Sequence, residues 1–344
     1  MAERLELGVD TFGDVTTDES GSPLPYAQVL RNVVAQGVLA DEVSLDFFGV
    51  GEHHRRDFAV SAPDVVLAAV AARTSRLRLG SAVTVLSSDD PIRVFQRFAT
   101  LDGISGGRAE VILGRGSFTE SFPLFGFDLG QYEKLFDEKL DLFAALRQQQ
   151  PVSWSGDTRP PLSRQSVYPV LESGLLPTWV GVGGSPESVV RAARYGLPLL
   201  LAIIGGPPVR FAPLVELYHR ALDQLGQSDQ PVGVHSPGHV SDTDDQARAE
   251  LWPHYSAMMD RIGRERGWSS MTRRQFEEEA GPDGSLYVGS PETVATKIAR
   301  TVQDLRLARF DLKYSHGTLP HSSLMHSIEL YGTRVVPRVR DLLT

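Results

Sequence analysis

Short apolar runs alternate with helical patterns along almost the whole chain, and few folds accommodate that rhythm. LELGVD (5–10) precedes a helical stretch from about Tyr26 to Ala40, FFGVG (47–51) precedes APDVVLAAVAART, and LRLGSAVTVL (77–86) precedes DPIRVFQRFATLDGIS. RAEVILGRG (108–116) comes before an amphipathic stretch over 131–147, where Tyr132, Leu135, Phe136, Leu140, Phe143 and Leu146 recur at helical spacing. TWVGVG (178–183), PLLLAIIGG (198–206), PVGVHSPGHV (231–240) and RFDLKYS (309–315) continue the series, the last leading to a helix over about 322–343. Near-continuous apolar strands between helices imply a parallel sheet covered on both faces. Eight such units in 344 residues predict an α/β fold closed into a (β/α)8 TIM barrel rather than an open sheet. No linker rich in Pro, Gly or Ser divides the chain, so residues 1–344 are expected to form one barrel domain. Two segments break the rhythm and are expected as insertions. Residues 148–177 are rich in Pro, Ser and Trp and suit a hairpin; residues 245–287, with FEEEAGPDG, are a candidate lid.

Composition narrows the function classes. A net charge of −9 argues against a nucleic-acid or anionic-membrane surface. No apolar run approaches the roughly 20 residues that span a bilayer. MAERLELGVD carries charges at once and does not read as a signal peptide. With no cysteine, disulfides, thiolate nucleophiles and thiolate zinc sites are excluded. A cytoplasmic enzyme acting on a small molecule is the expectation.

In a barrel, sites lie at the C-terminal ends of strands. WVGVGGSPES places Gly183 and Gly184 at such an end and opens a helix at once, with Ser185 as N-cap and Pro186 at the first helical position. Backbone N–H groups and a helix dipole converge there, which suits a phosphate, and Ser185 and Ser188 add hydroxyls. A purely structural turn is the alternative, and the adjacent Glu187 favours it. VGSPET (288–293), SAPD (61–64) and SDDP (88–91) are variations on the pattern and read simply as helix starts. The turn is not a dinucleotide fingerprint, because Pro186 stands where the third glycine belongs. One strand earlier, Arg115 lies between Gly114 and Gly116. A strand-end arginine beside flexible backbone suits a phosphate or carboxylate, or else pairs with a neighbouring acidic side chain.

GEHHRR (51–56) brings the only adjacent histidine pair to the end of the second strand. In extended backbone, His53 and His54 point to opposite sides and cannot chelate one metal together. A metal site would need one of them to join His235 and His316 across the mouth. His235 and His239 share a run that Pro237 and Gly238 are expected to interrupt. Proton transfer or hydrogen bonding suits the pair better, since histidine titrates near neutrality; a structural role is the bland alternative. Phe118, Phe122, Phe125 and Phe127 either line a pocket above the fourth strand or form core beneath a loop.

Taken in order, GEHH, GSAVTVLSSDDPIRVFQRFATLDGISGGR, LGRGSFTESFPLFGFD, VGGSPESVVRAARYGLPLLL and HGTLPHSSLMHSIELYGTRVVPRVR resemble the bacterial luciferase-like, flavin-dependent monooxygenases over nearly the whole chain. The resemblance implies reduced FMN and O2 as co-reactants, and a separate NAD(P)H:flavin reductase. It places the cofactor phosphate at Arg115, Gly116, Gly183, Gly184, Ser185 and Ser188, and the ring near Ala82, Val83 and Thr84. It further implies a non-prolyl cis peptide at Ala82–Val83 and His53 as general acid or base, with Glu52 or His54 as an orienting neighbour. No metal is implied. A homodimer is expected through helices near the second and third strands. Luciferase has a cysteine where this chain has Gly114, so light emission from an aldehyde is not implied. Other readings stand beside this one: F420-dependent hydride transfer on the same fold, a metal-dependent barrel hydrolase, and a non-catalytic flavin-binding subunit.

Overall fold

A computed structural model describes residues 4–18, 20–171 and 174–344; the first three residues of the N-terminal reading, and residues 172 and 173 of the first insertion, lie outside it. Eight parallel strands form the barrel: β1 (Glu6–Thr11), β2 (Phe47–Val50), β3 (Arg78–Ser81), β4 (Ala109–Gly114), β5 (Thr178–Val182), β6 (Leu199–Ala202), β7 (Val232–Val240) and β8 (Arg309–Lys313). Each pairs with the next, and β8 returns to β1 with Glu6 opposite Arg309 and Asp10 opposite Lys313. The expected closed (β/α)8 barrel is therefore what the chain forms.

Local chemistry sets the element ends. The third apolar run does not continue as one strand. It stops at Ser81, passes through a cis peptide bond at Ala82–Val83, the conformation that the resemblance implied, and resumes as Thr84–Val85 paired on β4. Helix Pro91–Ser105 is capped by Asp90, whose carboxylate accepts from the N–H groups of Ile92 and Arg93, and it ends at Gly106 in the left-handed region. Ser185 and Ser290 cap their helices in the same way, whereas helix Pro63–Ala71 starts at Ala62 with no side-chain cap. The closing helix is not continuous: a π turn at Tyr331–Val335 separates His321–Leu330 from Val336–Leu343.

Pro237 does not interrupt β7, contrary to the sequence expectation. The carbonyl of His235 accepts from Ile203 N–H on the β6 side, so Pro237, two residues on, faces that same side. There β6 has already ended at Ala202, and no ladder donor is missed. Beyond that end, on the same edge, the upper part of β7 pairs with Tyr287–Gly289, and Ser241 N–H donates to Gly289 O. Residues Val152–Trp154 and Leu162–Gln165 form an antiparallel hairpin, tied to helix Tyr132–Leu146 by Trp154 Nε1 donating to Asp141 at 2.8 Å. In the second irregular segment, a long helix runs from Asp244 to Arg266 and a short one from Arg273 to Ala280 with a capping box at Thr272. No helix among the described residues is long and apolar enough to cross a membrane.

The barrel interior has an apolar plug of Phe47, Ala82, Ile112, Trp179 and Leu200. Below it sits a charged layer that apolar strand patterns conceal. Arg309 is fully buried, stacks 3.6 Å above the Phe47 ring, donates through Nε to Asp311 at 2.8 Å and pairs with Glu110. Arg78 pairs with the same Glu110 and, at 3.0 Å, with Glu6. Two arginines thus serve buried carboxylates, which is the condition for tolerating charge in an interior.

Candidate active site

Glu52 organises the mouth of the barrel on the β2 side. Its buried carboxylate accepts from Val85 N–H at 2.9 Å and from His54 Nε2 at 2.8 Å, while its own N–H donates to Val83 O at 3.2 Å. These bonds staple the end of β2 to the Ala82–Val85 segment. Val83 packs closely there because β4 has Gly114 at its end and β5 has Gly181 just before its end: a Cβ on Gly114 would approach Val83 Cγ2 to 2.6 Å, and one on Gly181 would approach Cγ1 to 2.9 Å. Thr84 is turned into the wall, its hydroxyl donating to Ser81 Oγ at 2.9 Å.

His53 and His54 do diverge. His54 goes to Glu52 and packs edge-on against Phe125, 5.0 Å between centroids. His53 donates its backbone N–H to Val60 O, and its ring sits among Phe12 (4.5 Å), Phe58 (4.3 Å) and Phe118 (5.6 Å). Burial first, then the charges of Lys313, His54 and Arg55, pushes His53 down to about 3, so its ring is neutral at physiological pH. Its Nδ1 is buried and unpartnered. A neutral imidazole with a free nitrogen serves as a hydrogen-bonding group. Phe118 therefore belongs to the mouth, whereas Phe122 is core and Phe127 lies under Lys139, 3.9 Å from ring centroid to Nζ.

Across the mouth, Gly184 (φ +117°) turns the chain from β5 into helix Pro186–Arg194. Ser185 Oγ accepts from Ser188 N–H and donates to Ser188 Oγ at 2.8 Å. Arg191 Nη1 donates to Ser188 Oγ at 3.3 Å, and Arg191 Nη2 meets Glu133 Oε2 at 3.0 Å. Arg115 pairs with the other oxygen of Glu133 and lies over the Tyr132 ring, whose hydroxyl donates to Gly116 O at 2.5 Å. Of the two sequence readings of Arg115, the one seen is the pair with a neighbouring acidic side chain, and that carboxylate is shared with a second arginine. Arg191 escaped sequence reasoning. The signal for it was its place one helical turn beyond Ser188, on the same face. Glu187 is exposed.

Helix Asp244–Arg266 docks its C-terminal end on this mouth. Glu265 pairs with Arg55 at 2.6 Å, Arg261 with Asp57 at 3.1 Å, and Arg266 donates to Ser117 O at 3.0 Å. Arg55 also stacks on Phe118 at 4.4 Å. The other histidines have separate partners: His235 meets Asp10, His239 meets Glu250 at 2.8 Å, and His316 Nε2 donates to Gly238 O at 3.2 Å. Among the described residues no three His, Asp or Glu come together as a metal site needs.

Barrel, mouth and helix together match a known group. The profile of the luciferase-like monooxygenases covers residues 11–309, and the chain belongs to that family. Limonene 1,2-monooxygenase of Rhodococcus erythropolis is 26% identical over 307 residues, covering 86% of this chain and 78% of that protein. In fold, the chain is similar to the monooxygenase RslO1 from Streptomyces bottropensis (TM-score 0.82, 21% identity, 97% of this chain and 99% of that one). It is also similar to the oxygenating constituent of 3,6-diketocamphane monooxygenase from Pseudomonas putida, in complex with FMN (0.76, 18%, 97% and 98%). A third fold neighbour is the coenzyme F420-dependent tetrahydromethanopterin reductase from Methanopyrus kandleri (0.71, 17%, 97% and 99%).

Proposed function

We propose that this protein is a monooxygenase that uses reduced FMN and O2 on a small organic substrate, with the flavin delivered by a separate NAD(P)H:flavin reductase. The observation that carries the reading is the anion corner. Arg115, just past the end of β4, and Arg191, on helix Pro186–Arg194 after β5, converge on one carboxylate beside the Gly184–Ser185–Ser188 helix start. That carboxylate stands in for a flavin phosphate: the donor set is a pair of guanidiniums, two hydroxyls and a helix N-terminus, which suits a dianion. Gly116 and Gly183 leave the backbone around it bare, and the Ala82–Val83–Thr84 segment forms the surface towards which the ring would extend. Glu133 is 57% exposed, so the corner is open to exchange, as a shuttled flavin requires.

Bound reduced flavin supplies the two electrons with which O2 is activated. The chain's own residues bind, orient and shield. Arg115, Arg191, Ser185 and Ser188 hold the phosphate. His53, kept neutral, offers Nδ1 as a hydrogen-bonding atom beneath the mouth. Phe12, Phe58 and Phe118 make an apolar wall for substrate, and helix Asp244–Arg266 covers the mouth and excludes water. The homodimer belongs to the same proposal: Val65 (64% exposed) and Ile104 (55%) stand on the outer faces of helices Pro63–Ala71 and Pro91–Ser105, beside a groove of about 340 Å³.

Anaerobic titration with reduced FMN, with F420 in a parallel arm, tests the reading. Reduced FMN binds and reacts with O2, and Arg115→Ala weakens FMN by roughly 10- to 100-fold, the worth of a charged hydrogen bond. Binding of F420 without FMN moves the chain to hydride transfer, and unchanged affinity in Arg115→Ala removes that residue from the phosphate site.

A further inference from the structure

β7 carries a histidine that the cofactor reading does not use. His235 Nδ1 lies 2.7 Å from Asp10 Oδ2, across β8, in the part of the barrel nearest the mouth. Asp10 is 1% exposed and His235 8%. The other charges nearby are already matched: Lys313 pairs with Asp14 at 3.1 Å, and Asp311 with Arg309. Asp10 has no cation of its own, and its Oδ1 is buried without a partner. A buried carboxylate in that position is costly unless the group beside it takes up positive charge. An ionised carboxylate only accepts, so the neutral imidazole keeps its proton on Nδ1 and presents a lone pair at Nε2. That atom has no hydrogen-bond partner among the described residues, and unlike His53 Nδ1 it is not sealed from solvent. The Phe12 ring runs nearly parallel to His235 (5.8 Å, 12°) and also contacts His53 (4.5 Å), so an aromatic wall adjoins both imidazoles.

We infer that His235 is a second catalytic residue, a general base acting through Nε2 on a substrate O–H of phenolic or enolic type, with Asp10 as its positioning residue. In the step, the substrate O–H bond breaks and an Nε2–H bond forms. The electron pair stays on the substrate oxygen, and Asp10 balances the imidazolium. No oxidant enters, and the oxygen becomes electron-rich for the oxygenation that follows. The aromatic walls at Phe12, Phe58 and Phe118 suit a flat apolar body behind that oxygen. The inference deepens the monooxygenase reading by naming its substrate class.

The probe is 4-nitrophenol, whose phenolate absorbs apart from the phenol, added to flavin-free and FMN-loaded protein at a pH below the probe's own ionisation. Wild type raises the phenolate-to-phenol ratio of the bound probe about tenfold, one pKa unit, and His235→Gln abolishes the rise. A probe spectrum in wild type equal to that in buffer, or an undiminished rise in His235→Gln, overturns the proposal. In parallel, ¹⁵N NMR of ring-labelled histidine shows His235 as the Nδ1–H tautomer, and Asp10→Asn redistributes it. A merely structural Asp10 would lower stability and leave the tautomer signal where it was, which overturns its positioning role. If FMN does not bind, the cofactor reading fails by itself, because the flavin-free arms still report on His235.

Discussion

His53 shows how much an environment decides for one side chain. Packed against three phenylalanines and facing the charge of Lys313, it is held neutral down to about pH 3, far below a histidine in water. That depression has a thermodynamic sign. In the unfolded chain the ring takes up a proton below about 6.5, whereas the folded ring refuses it until about 3. The stability associated with the neutral ring is therefore complete above pH 6.5 and is lost as the pH falls towards 3. Denaturant unfolding at about pH 7 and about pH 4.5 should show a smaller acid loss in His53→Asn than in wild type. An identical loss in both would mean that the ring is not desolvated as described.

At the scale of elements, the end of β4 meets the Ala82–Val85 segment through an absence of side chain. Gly114→Ala should drive a methyl against Val83, costing about 1–3 kcal/mol of overpacking and displacing the surface beside the proposed flavin ring. Val83→Ala in the same chain should restore both thermal stability and FMN affinity; failure of the second change to rescue the first would separate the two positions. Much at this scale was legible beforehand. Eight apolar runs gave eight strands, because burial on both faces forces continuous hydrophobicity, and the helix starts at Asp90, Ser185 and Ser290 follow from local capping. What stayed hidden depends on partners distant in sequence. Pro237 looked like a breaker until β6 was seen to stop short of it. Arg191 meets Glu133 across 58 residues and His235 meets Asp10 across 225, separations that no periodicity reports. Nor did the runs containing Glu110, Arg309 and Asp311 disclose that their charged members point into the barrel and pair there.

For the whole molecule, that charged layer closes the barrel below its apolar plug. Replacing Arg309 by Met would leave Glu110 and Asp311 without their shared cation in the interior and should cost about 3–5 kcal/mol, read as a lower denaturation midpoint; a loss below about 1 kcal/mol would show that Arg78 alone suffices for Glu110. The anion corner obeys a different logic. Arg115 and Arg191 are already satisfied by Glu133, and Arg191 by Asp137 as well, so the corner carries little net charge. On the proposed reading, a phosphate dianion would then enter by ion exchange rather than by attraction from afar. Long-range steering is what salt screens, so FMN affinity in wild type should change little with ionic strength. Glu133→Gln should bind FMN more tightly and become salt-sensitive, and weaker binding in that variant would mean that Glu133 organises the arginines instead of occupying their site. On that proposal the protein carries its own counter-ion, and the flavin would be on loan.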